Sequence, residues 1–288
     1  MTETRARVCL VLVTHNRVRY TEKCAAHLLA DTHSEFDLHI WDNASTDDTA
    51  SYLKSLRDPR IREVIFWGNN AGQTVAMNRV WAQTSADFVA KIDNDCLVTP
   101  GWTGLLAAAH RDNPDLGAIA CWHYREEDFE QRIAQRKIRQ MNKHAVFEHP
   151  FVCGSGFMLK RETYLKMGPW PEGSADIGTT GYFLRLAQAG YVNGWYFPLI
   201  LQHHMDDPLS PYCSYHDDKS LQEVRDVTFT LRNRQISTMD QRMRRRRLVL
   251  ENLMYGAPKA ACHVGWRGKM RRVWPRVDRL LWRVGWII

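Results

Sequence analysis

Phe88-Val89-Ala90-Lys91-Ile92-Asp93-Asn94-Asp95-Cys96 is the stretch that decides the fold. A largely apolar run, fit for a buried strand, ends abruptly in two carboxylates around one amide. Asp and Asn are poor strand formers, so the strand should stop there. Carboxylates at i and i+2 at a strand's end both reach the crevice beyond the sheet edge, where open α/β sheets bind ligands. Hard cations such as Mg2+ and Mn2+ favour carboxylate and phosphate oxygens. The stretch alone reads as a metal–diphosphate site or as a solvated strand-to-loop turn.

On its N-terminal side lies Val8-Cys9-Leu10-Val11-Leu12-Val13, a uniformly apolar run typical of a strand buried on both faces of a parallel sheet. Thr14-His15-Asn16-Arg17 follows it, and 20–30 reads as a helix. A second strand over 37–41 ends in Asp42-Asn43-Ala44-Ser45-Thr46-Asp47-Asp48. There Ser45 and Asp48 resemble a capping box opening a helix that runs to about Leu56. A third strand (61–67), a Gly-Asn-Asn-Ala-Gly turn and a helix over 73–83 lead back to the opening stretch. Strands alternating with helices through short links predict a right-handed parallel α/β sheet. No Gly-x-Gly-x-x-Gly or Walker motif occurs, which weakens dinucleotide and P-loop readings.

Downstream, a helix is expected to about Arg111 and a strand over 116–122. Residues 123–148 are charged and irregular and read as an insertion or flexible loop, with a helical core near 129–141. Residues 151–160 read as a strand interrupted by Gly154 and Gly156, a sign of a bulge or a close approach. Helices over 161–167 and 180–188, a strand over 191–197 and His203-His204 complete the domain.

At 288 residues the chain can build one large α/β domain with appendages. Its formal charge of +7 is uneven, because 221–288 holds 16 Lys and Arg against 5 Asp and Glu. That basic segment implies an anionic partner. Seven Cys without regular spacing argue against a disulfide framework or zinc knuckle and suit a reducing compartment. No segment reaches the roughly 18 apolar residues of a membrane span. The expected location is cytoplasmic, peripheral on the cytoplasmic face of a membrane.

Taken together, Val11-Leu12-Val13-Thr14-His15-Asn16-Arg17, Trp41-Asp42-Asn43-Ala44-Ser45-Thr46-Asp47-Asp48-Thr49, Asn70-Ala71-Gly72 through Ala76-Met77-Asn78, and Ile92-Asp93-Asn94-Asp95 resemble the successive motifs of family 2 glycosyltransferases of the GT-A fold. The resemblance continues through Gly154-Ser155-Gly156 to His203-His204 and covers roughly 7–205. It implies a GT-A-like α/β fold: a mixed, mostly parallel sheet with helices on both faces. It implies an inverting, metal-dependent enzyme that moves a sugar from a nucleotide-sugar donor to a hydroxyl of a glycan or lipid-linked acceptor.

By the same resemblance Thr14, Asn16 and Arg17 border the nucleoside, Asp42 contacts the base, and Gly72 and Asn78 line the nucleotide side. Asp93 lies near the ribose with Asn94 beside it. Asp95 binds Mn2+ or Mg2+, and His203 or His204, with His204 favoured, completes the metal site. Many members carry Arg where this chain has Met77, so Arg79 or Arg17 would have to supply that diphosphate contact. The family's Glu-Asp before the last core helix is replaced by Asp176-Ile177-Gly178, which makes Asp176 the expected base, with Glu172, Asp206 and Asp207 as rivals.

The expected domains are a glycosyltransferase domain over 1–220 and a basic, Arg- and Trp-rich helical tail over 221–288. In the tail, Trp266, Trp274, Trp282 and Trp286 interleave with arginines around Val273, Val277, Leu280, Leu281 and Val284. Such a stretch reads as an interfacial helix on an anionic membrane. Its alternatives are a helix packed on the domain or on a second copy in a homo-oligomer. Nucleic acid is not an expected partner. Two other functions stay open: a nucleotide-sugar-binding or membrane-scaffold protein without a base, and a sugar nucleotidyltransferase.

Overall fold

The structure is a computed structural model that describes residues 7–124, 126, 129, 131–172, 179–207 and 210–213. Strand β1 (Val8–Thr14) is buried at every position. Val8, Leu10 and Leu12 enter one core and Cys9, Val11 and Val13 the other, as alternating side chains must. Burial on both faces is what parallel pairing with helical crossovers produces. Accordingly β1 pairs in parallel with β2 (Asp37–Asp42) and β4 (Phe88–Asp93), and β3 (Ile61–Phe66) pairs in parallel with β2. Helix α1 (Val18–Ala30) covers the first core with Tyr20, Cys24 and Leu28. The short α2 (Thr49–Ser55) adds Leu53 to that core. Helix α3 (Gln73–Gln83) covers the second core with Ala76, Met77, Val80 and Trp81.

Beyond β4 the sheet becomes mixed. A short β5 (Cys96–Val98) and α4 (Trp102–Asp112) lead to β6 (Leu116–Ala120). After α5 (Gln131–Ala134), β7 (Ile138–Met141) and β8 (His144–Glu148) form a hairpin. Strand β9 (Phe157–Lys160) lies between β4 and β6, antiparallel to both. Helices α6 (Arg161–Met167) and α7 (Thr179–Gln188) precede β10 (Val192–Phe197), which runs parallel to β6. Nine strands thus follow the order β3-β2-β1-β4-β9-β6-β10-β8-β7. Finally β11 (Gln202–His204) pairs antiparallel with β5 in a separate two-stranded ribbon. Among the described residues no helix is long and apolar enough to cross a membrane.

Several local expectations are corrected. The Ser45–Asp48 capping box does not form. Helix α2 begins at Thr49, whose N–H donates to Asp47 Oδ1 (3.0 Å), while the Ser45 hydroxyl turns back to Asp42. Residues 123–148 are not simply a flexible loop with a long helical core. Among the described residues of this stretch α-helix is confined to α5, a 3-10 turn follows, and 138–148 is the hairpin that ends the sheet. Residues 151–156 are loop, and only 157–160 is strand. Gly156 has φ +62°, and a Cβ there would collide with the Gln202 side chain, so the glycine marks a close approach. The 221–288 tail lies outside the described residues.

His110 on α4 is fully buried, stacks on Phe88 (5.9 Å between centroids) and meets the Met158 carbonyl through Nε2 (3.1 Å). Burial pushes its pKa down to about 3. The folded chain therefore binds one proton fewer than the unfolded chain between about pH 6.5 and 3, and stability is lost as pH falls through that window. His110→Gln, which keeps a donor for the Met158 carbonyl, should flatten the urea-unfolding pH profile there by up to about 1.4 kcal/mol per pH unit. An unchanged slope would remove His110 as its cause.

Candidate active site

The sheet register assembles the site. Thr14 pairs with Asp42 across β1 and β2, and Val13 pairs with Asp93 across β1 and β4. The carboxyl ends of three parallel neighbours thus place Thr14, Asp42 and Asp93 in one row, at the edge where such sheets bind ligands. Register also separates the two histidines. His204 pairs directly with Cys96, while His203 pairs with Leu97. The His204 ring stands against Asp95, with Nδ1 4.0 Å from Oδ1, whereas the His203 ring lies beside Tyr212. Alternation along β11 thus brings His204, not His203, to Asp95.

Asn16 and Arg17 hold consecutive left-handed backbones (φ 53° and 66°), which cost about 1–2 kcal/mol for a non-glycine residue. The loop after β2 over-determines them. Asn16 N–H donates to Ser45 Oγ (2.7 Å), Asn16 Oδ1 accepts the Thr46 N–H (2.7 Å), and Val18 N–H donates to Asp47 Oδ2 (3.0 Å). The strained turn aims the Arg17 side chain across the site. Its Nη1 donates to Asp95 Oδ2 at 3.2 Å, its Nη2 lies 3.8 Å from Asp206 Oδ2, and its plane rests on Tyr20 (4.2 Å). Arg17 Nε and Nη2 are buried without hydrogen-bond partners, so donor capacity is held in reserve where an anionic ligand would sit.

Two carboxylates, two residues apart, meet different surroundings. Burial would raise the Asp95 pKa, but Arg17 and His204 outweigh it and hold the group below the usual carboxylate range. Burial raises Asp93 above that range, against the lowering pull of Lys91. Lys91 is fully buried, and its Nζ meets Asp93 Oδ1 (2.6 Å), the Gly154 carbonyl (2.7 Å) and Gln73 Oε1. It therefore ties β4, the start of α3 and the loop before β9 around Asp93. Sequence reading takes Lys91 as part of an apolar run. The missed signal is a lysine two positions before Asp93, on the same strand face.

Several residues expected at the nucleotide also have partners within the protein. Thr14 is buried and bonds Thr21 (2.8 Å), and Asn94 donates to both hydroxyls (3.1 and 3.0 Å). The side chains of Thr14 and Asn94 therefore pin the Asp-Asn-Asp turn to β1. Asn78 likewise meets protein partners. Its amide donates to the Trp170 carbonyl and to Glu172 Oε1 (both 2.9 Å) and accepts the Trp170 N–H (3.0 Å). It clamps the segment that leads toward Asp176, which itself lies outside the described residues. Asp42 is buried, and its carboxylate accepts the Ser45 N–H (3.2 Å) and hydroxyl. Gly72 sits at the start of α3 with φ 81° and donates to Asn70 Oδ1 (3.2 Å). Arg79 is exposed and stacks on Trp67 (4.5 Å), so of the two arginines Arg17 is the one at the carboxylates.

The carboxylate of Asp95, the thiol of Cys96 and the ring of His204 each offer one donor atom within 4.8 Å of the others. This spacing fits a divalent ion. Cys153 stands nearby. Burial would raise its pKa, but the neighbouring His123 and His204 hold the thiol well below its ordinary value.

These features, a mixed α/β sheet with two acids and a basic residue at the carboxyl edge, define a class that comparison with known proteins identifies. Residues 9–168 match the family model described as Glycosyl transferase family 2, and the chain belongs to that family. The chain is similar to an uncharacterized glycosyltransferase of Nostoc sp. (strain PCC 7120), 29% identical over 96 residues, or 33% of this chain and 30% of the relative. It is similar to the putative teichuronic acid biosynthesis glycosyltransferase TuaG of Bacillus subtilis, 29% identical over 97 residues, 33% of this chain and 38% of the relative. The matches span about a third of those relatives' length.

Among solved structures it resembles the mannosyltransferase PcManGT from Pyrobaculum calidifontis in complex with GDP-Man and Mn2+. The TM-score is 0.57 at 17% identity, over 99% of this chain and 88% of that one. It also resembles S. aureus TarS 1-349 in complex with UDP-GlcNAc, with a TM-score of 0.53 at 13% identity, over 98% and 84%. These likenesses show a GT-A-like α/β fold.

Proposed function

We propose that the protein is an inverting, metal-dependent glycosyltransferase that moves one sugar from a nucleotide-sugar donor to a hydroxyl of a glycan or lipid-linked acceptor, in cell-surface glycan or lipopolysaccharide assembly. The observation that carries this reading is the convergence of Asp95, His204 and Arg17 at the carboxyl edge of the sheet. One relative, named as a putative teichuronic acid biosynthesis glycosyltransferase, and structural neighbours holding GDP-Man with Mn2+ or UDP-GlcNAc support it.

Asp95 and His204 would hold Mn2+ or Mg2+, which as a Lewis acid neutralises charge on the departing nucleoside diphosphate. Arg17 donates to a phosphate oxygen with the hydrogen-bonding capacity it keeps in reserve. Asp93, held by Lys91, faces the ribose, and Asp42 with Asn16 and Gly72 borders the nucleoside. Asp176 takes the proton of the acceptor hydroxyl as that oxygen attacks the anomeric carbon from the side opposite the leaving group. The attack inverts the configuration.

Asp176→Asn should lower kcat by on the order of 10²–10⁴ while leaving donor affinity nearly intact. Full activity would reject it as base and move the role to Glu172, Asp206 or Asp207. The 221–288 tail is proposed to hold the enzyme on an anionic, cytoplasmic-side membrane. Replacing Arg271, Arg272, Arg276, Arg279 and Arg283 by Ser should abolish co-sedimentation with phosphatidylserine vesicles. Unchanged co-sedimentation would instead favour a tail packed on the domain or on a second copy.

A further inference from the structure

Cys96 follows the Asp-Asn-Asp turn and begins β5, with no exposed surface. A buried cysteine is ordinarily a small apolar filler, yet this one is surrounded by polar atoms. Its Sγ lies 3.2 Å from Asp95 Oδ1, 3.5 Å from His204 Nδ1, 3.2 Å from Gln202 Nε2 and 3.5 Å from Ser155 Oγ. The β5–β11 register explains the closeness, because Cys96 and His204 are direct cross-strand partners.

The triangle of donors has the size of a tetrahedral metal face. Bonds of about 2.3 Å to sulfur and about 2.0 Å to nitrogen and oxygen give ligand–ligand edges of roughly 3.3–3.6 Å. The observed edges are 3.2 Å for sulfur to oxygen, 3.5 Å for sulfur to nitrogen and 4.0 Å for nitrogen to oxygen. The two sulfur edges lie within roughly 0.3 Å of these values, and the nitrogen–oxygen edge needs closure by roughly 0.7 Å. His204 Nδ1 is the ring nitrogen that turns toward Asp95 and Cys96, and its ligation requires the Gln202 amide, 3.1 Å from Nε2, to present its oxygen to an Nε2–H. The Asp95 and His204 side chains are 15% and 14% exposed, so solvent reaches the two ligands.

We infer that Cys96 is a third metal ligand beside Asp95 and His204, making an oxygen–nitrogen–sulfur face that selects borderline, thiophilic ions such as Zn2+ and Co2+ over Mg2+. The inference rests on the proposed metal role of Asp95 and His204. Thiolates favour such ions, whereas Mg2+ demands oxygen donors. Ligation releases the thiol proton to solvent as the sulfur–metal bond forms, with no change of oxidation state.

The test is a Co2+ titration of the tag-free full chain followed by absorbance. An intense near-ultraviolet thiolate-to-cobalt band is expected, lost in Cys96→Ser and kept in Cys153→Ser. Only the weak visible bands of an oxygen–nitrogen site, or a band that survives Cys96→Ser, would overturn the assignment, as would loss in Cys153→Ser alone. Should Cys96→Ser not fold by circular dichroism, zinc-edge X-ray absorption of the wild type decides. One sulfur at about 2.3 Å supports the inference, and a shell of nitrogen and oxygen alone refutes it. Mn2+-dependent sugar transfer without a sulfur ligand would sink this inference and spare the proposed function. Failure of every divalent ion to bind would sink the inference and the metal-dependent mechanism together.

Discussion

Asp95→Asn is expected to reduce sugar transfer by on the order of 10²–10³ in kcat/KM, and to do so without unfolding the protein. The substitution keeps the shape and removes the charge on which Arg17 and His204 converge. The effect on stability should be small, with Tm moving by only a few degrees. Loss of the Arg17 attraction is offset by relief of the repulsion that Asp95 exerts on Asp93. Steady-state kinetics with a saturating acceptor, alongside a melting curve, checks both halves. Near wild-type turnover would remove Asp95 from the chemistry, and collapse of the melting transition would recast it as structural.

Lys91→Met should have the opposite signature, a large loss of stability. Methionine fits the volume, but Asp93, the Gly154 carbonyl and Gln73 all lose their common partner. Breaking such a pair from one side costs about 3–5 kcal/mol, so Tm should fall by on the order of 10 °C. Adding Asp93→Asn removes the stranded charge and should restore a substantial part of that stability, with a positive coupling in the double-mutant cycle. Urea unfolding of the four proteins measures it. A single mutant as stable as the wild type would show that Lys91 holds nothing together.

The parallel half of the fold was legible because its signals are local. The uninterrupted apolar run of β1, the polar stop after β2 and the Asp-Asn-Asp turn after β4 can each be read from a few adjacent residues. The β7–β8 hairpin was not. Arg139, Gln140 and Lys143 give it a helix-like charge density, and its apolar Ile138, Ala145 and Phe147 make sense only once β10 lies beside it. The short β9 was overextended because nothing in 151–156 says that the glycines belong to a loop held by Lys91 and Ser155.

Within the site, Asp95 and His204 were readable as types, whereas choosing between His203 and His204 needed the register of β11 on β5. The resemblance places Asn78, Thr14 and Asn94 at the nucleotide, and sequence alone does not show their partners within the protein. Asn78 meets Trp170 and Glu172, far along the chain, and Thr21 of α1 is shared by Thr14 and Asn94. The polar surroundings of Cys96 are hidden in sequence because, apart from Asp95, its polar neighbours come from β11 and from the loop before β9.

The central claim is that the Asp93–Asp95 edge binds a nucleotide sugar for metal-dependent transfer. Its most direct test is to incubate the full chain with a panel of nucleotide sugars and a mixed glycan and lipid-linked acceptor extract, with Mn2+ or with chelator, and to read release of the nucleoside diphosphate. Release from at least one donor, abolished by chelator and restored by Mn2+, is the predicted result. No release from any donor, or release equal with and without chelator, would contradict it.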